Sequence, residues 1–253
     1  MQVTSKNSYV YQIETDGRSV WLKKCGEDKR NWFNVALNRL FRTSRRFSHL
    51  ALYSAYPPKQ RFLHELAALE YALERDLPVP KLIFKSRSSF ITESSGVPIH
   101  QAEAHSQDIL YIDAFSGLLR LHQASFIHGR PAMRDIVVND DGRVTFIDLE
   151  EARFSDSAKL KIRDMLLFML DSYRMEQVSQ QTRLSELLKW HQTADAPKLK
   201  ALNRNIFWLN LLIWAPKLIL RFRRNRLSSQ LVAMHKLLKV YRQRIKTKVV
   251  VDF

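Results

Sequence analysis

The chain has 253 residues, 45% of them hydrophobic, which suits a globular protein of one large domain or two lobes sharing a cleft. Its net charge of +16, from 41 Lys and Arg against 25 Asp and Glu, calls for an anionic partner; nucleic acid, anionic lipid and phosphorylated sugars all qualify. The single cysteine, Cys25, excludes an internal disulfide, and MQVTSKNSYV has no apolar h-region, so a cytoplasmic chain is expected.

Residues 8–24, SYVYQIETDGRSVWLKK, read as two β-rich runs around the turn TDG. Alternation puts Val20 and Leu22 on one face, and Trp21 and Lys23 on the other. Residues 29–49 place Trp32, Phe33, Ala36, Leu37, Leu40 and Phe41 at helical spacing among arginines. That pattern is a basic amphipathic helix, packed on the N-terminal part or lying on an anionic membrane. Residues 58–75 form a clear helix with the stripe Phe62, Leu66, Leu69 and Leu73. DLPVP breaks it, and KLIFKSRSSFITESSGVPI gives two strands and a turn. A further helix over 106–125 aligns Leu110, Ala114, Gly117, Leu118 and Leu121.

The segment from Ile127 to Glu151 is the most informative. A polar loop precedes IVV, the turn NDDG and RVTFI, which together signal a hairpin. Asp135 and Asp148 fall at one end of it. Two carboxylates there can share a divalent cation, and that cation can carry nucleotide phosphates. A short acidic loop leads to a helix rich in Met165, Leu166, Phe168, Met169 and Leu170, expected in the core. The apolar stretch in IFWLNLLIWAPKLILRFRRNR (206–226) spans roughly 22 Å at about 1.5 Å per residue, too short for a hydrocarbon core of roughly 30 Å. It suits an interfacial segment or a buried helix pair. The last helix carries Leu227, Leu231, Met234, Leu238, Tyr241 and Ile245 on one face.

The order His128-Gly129-Arg130, four residues, Asp135, hairpin, Asp148-Leu149-Glu150 resembles the protein-kinase core, with its H-R-D-x-x-x-x-N and D-F-G motifs. Within that group the segment is most similar to bacterial lipopolysaccharide core kinases and 3-deoxy-manno-octulosonic acid kinases. The resemblance is strong over Leu118–Ala152 and extends over residues 18–175. It implies an α+β, two-lobed fold, with a β-rich N-lobe over 1–96 and a helical C-lobe over 97–253. It implies ATP between the lobes and Mg²⁺ on Asp135 and Asp148. Lys23 would grip the phosphates, with Lys24 as the competing position. Glu65 would pair with Lys23, with Glu70 as the alternative. Glu93 to Gly96 would offer backbone hydrogen bonds to adenine. His122, His128 and Asp164 would hold the catalytic loop.

Two positions depart from the pattern. Arg130 stands where the family has its catalytic-base Asp, and Asp135 where it has a metal-binding Asn. Arg cannot accept a proton at neutral pH but can bind a phosphate. With only 6 Gly there is no G-x-G-x-x-G phosphate flap. The expected activity is transfer of the ATP γ-phosphate to a sugar hydroxyl of lipopolysaccharide or a related glycolipid, with the chain peripheral on the inner membrane. A nucleotide- or glycolipid-binding pseudokinase is the alternative, supported by Arg130. Nucleic-acid binding through the net charge ranks third, because no known recognition motif is present. Glu150, Glu151 and Asp108 are acids available to replace the lost base.

Overall fold

The computed structural model describes residues 2–7, 9–15, 18–26, 56–103 and 105–251. The basic helix expected over 29–49 lies outside them. The protein is α+β, with a small antiparallel sheet in its N-terminal region and a helical C-terminal part.

The sheet contains β1 (Gln2–Asn7), β2 (Val10–Thr15), β3 (Arg18–Lys24), β4 (Leu82–Lys85) and β5 (Ser89–Glu93). Its strand order is β1-β2-β3-β5-β4. The register pairs Lys23 with Val10 on one side and Phe90 on the other. Lys23 is thereby fixed in an inner strand, held between two neighbours. Helix α1 (Pro58–Leu73) begins with proline, whose missing N–H costs nothing in the first turn. It buries Phe62, Leu66 and Leu69, and Phe62 meets Phe90 of β5 with ring centroids 5.5 Å apart.

In the C-terminal part, α2 (Gln107–Gln123) is the central helix. Its Leu110, Ala114, Leu118 and Leu121 are buried, as their spacing predicts. A Cβ on Gly117 would lie 2.9 Å from the Phe146 ring, so glycine lets the helix sit tight on the hairpin. That hairpin is β8 (Ile136–Val138) with β9 (Val144–Phe146), preceded by the two-residue strands β6 (Val97–Pro98) and β7 (Phe126–Ile127). β7 pairs with β10 (Arg153–Phe154) and β6 with β8. Helix α3 (Ala158–Asp171) buries Met165, Phe168 and Met169. Its Phe168 ring packs at 5.4 Å from Tyr111 and 5.8 Å from Phe115.

Helix α4 (Gln180–Thr193) is capped by Ser179, whose hydroxyl accepts from Thr182 N–H. Helix α5 (Ala196–Leu212) is capped in the same way by Asp195. After α5 the chain turns at Ile213 into α6 (Trp214–Phe222). Pro216 has no N–H for the Leu212 carbonyl, which accounts for the break. The 26-residue α7 (Arg226–Val251) closes the chain. Met234, Leu238 and Tyr241 are buried on the expected stripe, whereas Leu227 at its start is 55% exposed. The start of the helix instead buries Ser228 and Gln230, so the apolar stripe enters the core about a turn later than its periodicity suggests.

Candidate active site

A cavity of about 650 Å³ opens between β3, β5, α1 and the segment after β9. Strand alternation sends Trp21 and Lys23 together to its wall. Lys23 Nζ lies 2.6 Å from Glu65 Oε2, 3.1 Å from Glu150 Oε1 and 3.8 Å from Asp148 Oδ1. Lys24 is exposed, one step out of phase on the strand, with its Nζ 5.3 Å from the Tyr11 ring centre. Lys24 still lines the cavity, but Glu70 does not; it pairs with Lys85 at the far side of the sheet edge. Of each alternative pair the structure brings Lys23 and Glu65 together.

The electrostatics follow from burial. Desolvation works against the Lys23 charge, but Glu65, Asp148 and Glu150 outweigh it and hold the ammonium well above its usual range. Glu65 is buried, and desolvation pushes its carboxyl up to about 7; Lys23 opposes this and the Asp148 and Glu150 charges add to it. Arg61, 3.7 Å from Glu150, and Arg130, 3.5 Å from Asp148, add two further cations to this cluster, so its charges are matched within the chain.

The hairpin places the two aspartates by register. Ile136 faces Phe146, and Ile147 N–H donates to Asp135 O at 2.8 Å, so Asp148 is the next residue past the last pair. Asp148 adopts a left-handed conformation (φ 60°, ψ 65°), which few non-glycine residues take and which Asp tolerates best. It lines the cavity, a third exposed, and opens the short turn Leu149–Glu151. Asp135 does not reach the cavity wall, although Arg134 beside it does. The Asp135 carboxyl is buried, and its Oδ2 has no hydrogen-bond partner among the described residues. Its pKa is raised by desolvation first and then by the Asp148 charge, so the two carboxylates feel one another.

Arg130 is half exposed, with Nη2 3.5 Å from Asp148 Oδ2. The loop carrying it is fixed from below. Fully buried Asp164 accepts the backbone N–H of His128 and of Gly129, each at 2.8 Å, and lies 3.2 Å from His122 Nε2. His128 Nε2 is 3.0 Å from Ile147 O, tying the loop to the strand that leads to Asp148. Gly129 has φ +90°, and a Cβ there would fall 2.1 Å from Glu151 O, so only glycine fits. His122, His128 and Asp164 thus form a brace, away from the cavity.

At Glu93 the expectation narrows. Its N–H is spent on Lys81 O at 3.0 Å, and Ser94 N–H on Ser19 O at 3.0 Å. Glu93, Ser95 and Gly96 all lie on the cavity wall. Of the three spare acids, Asp108 accepts Ser179 N–H at the α4 start, and Glu151 is buried below the turn. Glu150 alone is at the site.

Sequence reasoning gave no role to Arg61 and placed Glu150 only as an acid. Arg61 Nη1 lies 3.7 Å from Glu150 Oε2 on the cavity wall. The signal was available: Arg61 is one helical turn before Glu65 and shares its face. His64 completes the tie between α1 and this segment, with Nε2 2.7 Å from Ala152 O.

The chain is similar to an uncharacterized protein of Haemophilus influenzae, 27% identical over 243 residues, covering 93% of this chain and 90% of that one. No family model matches the chain. Among the described residues no helix is long and apolar enough to cross a membrane.

Proposed function

We propose that the protein is a kinase-like phosphotransferase with two lobes, which moves the ATP γ-phosphate to a sugar hydroxyl of lipopolysaccharide or a related glycolipid at the inner membrane surface. One observation carries the reading: an ammonium from the sheet, Lys23, meets a helix carboxylate at 2.6 Å and Asp148 at 3.8 Å on one cavity wall. Resemblance to the kinase core calls for that triad, and nothing in simple packing requires it. The braced loop below it, held by Asp164, supports the same reading.

In this reading Lys23, oriented by Glu65, binds the α- and β-phosphates, and Ser95 and Gly96 meet the base. Asp148 and Asp135 fit Mg²⁺, because both are hard oxygen donors and Asp135 Oδ2 is buried without a hydrogen-bond donor. When bound, Mg²⁺ would neutralise phosphate charge and so favour displacement at phosphorus. Arg130 offers a guanidinium at the mouth of the site. It cannot remove the acceptor's proton, but it can stabilise charge on the transferred group, and charge stabilisation supplies most of the rate in such reactions. Only nine residues separate Asp148 from the start of α3 at Ala158, too few for a peptide-docking platform. A sugar acceptor suits that opening better than a protein.

The contact between Arg130 and Asp148 favours a second reading, a nucleotide- or glycolipid-binding module without turnover. Incubation with γ-labelled ATP, Mg²⁺ and crude lipopolysaccharide separates the two. Label entering glycolipid, and absent with Asp148→Ala, supports the enzyme. Thermal stabilisation by ATP and Mg²⁺ with no transfer supports the binding module, and absence of both effects sinks the nucleotide site.

A further inference from the structure

The charge of this chain is not spread evenly. Between Ala196 and Val251 lie fourteen of the 41 Lys and Arg residues and none of the 25 Asp and Glu. Nearly the whole excess of +16 therefore belongs to α5, α6 and α7. This same region exposes the largest apolar side chains: Phe207, Trp208, Leu211, Leu212, Trp214 and Phe222 are 60, 52, 53, 53, 62 and 78% exposed.

Helix α6 buries none of its residues. That contradicts the buried helix pair that its apolar sequence also allowed. Trp214, Leu218 and Phe222 recur every four residues and form one ridge. Lys217 and Arg221 precede Leu218 and Phe222 by one position each, so they flank that ridge. Arg223, Arg224 and Arg226 follow at the helix end, all exposed. A ridge of aromatic and aliphatic groups edged by long cationic stems matches a helix lying in a headgroup layer.

A basic groove of about 390 Å³ lies next to it between α5 and α7. Lys239, Arg242 and Lys246 line it, with Asn210 and His235, whose side chains are 2.9 Å apart. Burial, then the charges of Lys217 and Lys239, push the His235 imidazole below its usual range. Lys217 of α6 and the groove thus belong to one positive field, with no acid on these helices to offset it.

We propose that α5, the turn at Ile213 and α6 form a docking surface for an anionic phospholipid bilayer, with Trp208, Trp214, Leu218 and Phe222 inserted and the α5–α7 groove taking a lipid phosphate. This deepens the peripheral location proposed above but does not depend on phosphoryl transfer. An apolar patch of this size edged by one sign of charge is otherwise an aggregation hazard on a monomer. Charge complementarity selects anionic lipid over a neutral protein groove.

Cosedimentation with vesicles tests it. Vesicles of phosphatidylcholine alone are compared with vesicles in which part of that lipid is replaced by phosphatidylglycerol. The full chain is expected to pellet with the anionic vesicles and to stay in solution with the neutral ones. Combined Trp214→Ser, Leu218→Ser and Phe222→Ser should abolish pelleting with little change in Tm, because all three side chains are exposed. Lys239→Gln with Arg242→Gln should weaken it about tenfold while keeping the fold. Asp148→Ala should pellet like wild type, so a failed kinase reading leaves this result standing. Equal binding to both vesicles, wild-type binding by the serine variant, a dimer that the serine variant disrupts, or tighter binding of single-stranded DNA than of anionic vesicles overturns the proposal.

Discussion

The cavity and the C-terminal helices handle charge in opposite ways. At the cavity three cations have acids beside them: Lys23 approaches Glu65, Asp148 and Glu150, Arg61 faces Glu150, and Arg130 faces Asp148. On α6 and α7 the cations whose side chains are described stand in solvent, with no acid in the helices. The difference is one of burial. Desolvated charge must be compensated within the chain, or the folded state loses several kcal/mol, on the order of what holds a domain together. Exposed charge carries no such penalty and stays available to an external anion. A network that satisfies itself is built to position; a field left open is built to attract.

Breaking the network should have the largest effects. Asp148→Ala is expected to lower transfer to glycolipid by about 10²–10³-fold with little change in Tm, and Lys23→Met to lower it as far while also lowering Tm by stranding the buried Glu65 carboxyl, read from initial rates with labelled ATP and thermal unfolding. A rate that survives both changes removes the site from the cavity. Asp164→Ala is expected to lower stability by about 3 kcal/mol in urea unfolding, because it orphans two buried N–H groups under the loop. A loss well under about 1 kcal/mol would show that the brace is not what fixes Arg130.

A pH series sharpens the contrast between the two regions. Glu65 holds its proton more tightly when folded (about 7) than at its ordinary value of 4.5. Its contribution to stability is therefore full below 4.5 and lost as pH rises through about 7. Wild type should lose stability across that window relative to Glu65→Gln, followed by urea midpoints at each pH. Parallel curves for the two proteins would mean the Lys23 pairing keeps Glu65 ionised throughout. At the small end, Lys81→Gln removes an exposed pair with Glu93 at 3.9 Å and should shift stability by no more than about 0.5 kcal/mol. A larger shift would mean that surface pairs here matter as much as the buried network.

Much of the site was legible along the chain because it depends on local rules. Alternation on β3 set Lys23 apart from Lys24, and the turn NDDG set the hairpin that leads to Asp148. Asp164 was readable only through the resemblance to the kinase core, not from local pattern. Glu65 over Glu70 was less secure, since both sit on one amphipathic helix and only the packing of Phe62 on Phe90 turns Glu65 inward. The grip of Glu150 on Lys23 was missed because it joins residues 127 positions apart, whereas Arg61 was passed over although it shares the face of Glu65. Asp135 was expected at the cavity beside Asp148, yet it sits behind the wall.

The sequence by itself determined the strands, the helices, the hairpin and the sign of the charge, because periodicity, turn chemistry and residue counts are local quantities. Tertiary structure alone decided which carboxylates surround Lys23, which backbone donors near Glu93 are already spent, and that α6 stays uncovered. Those outcomes depend on burial, and burial is fixed only when distant segments pack against one another.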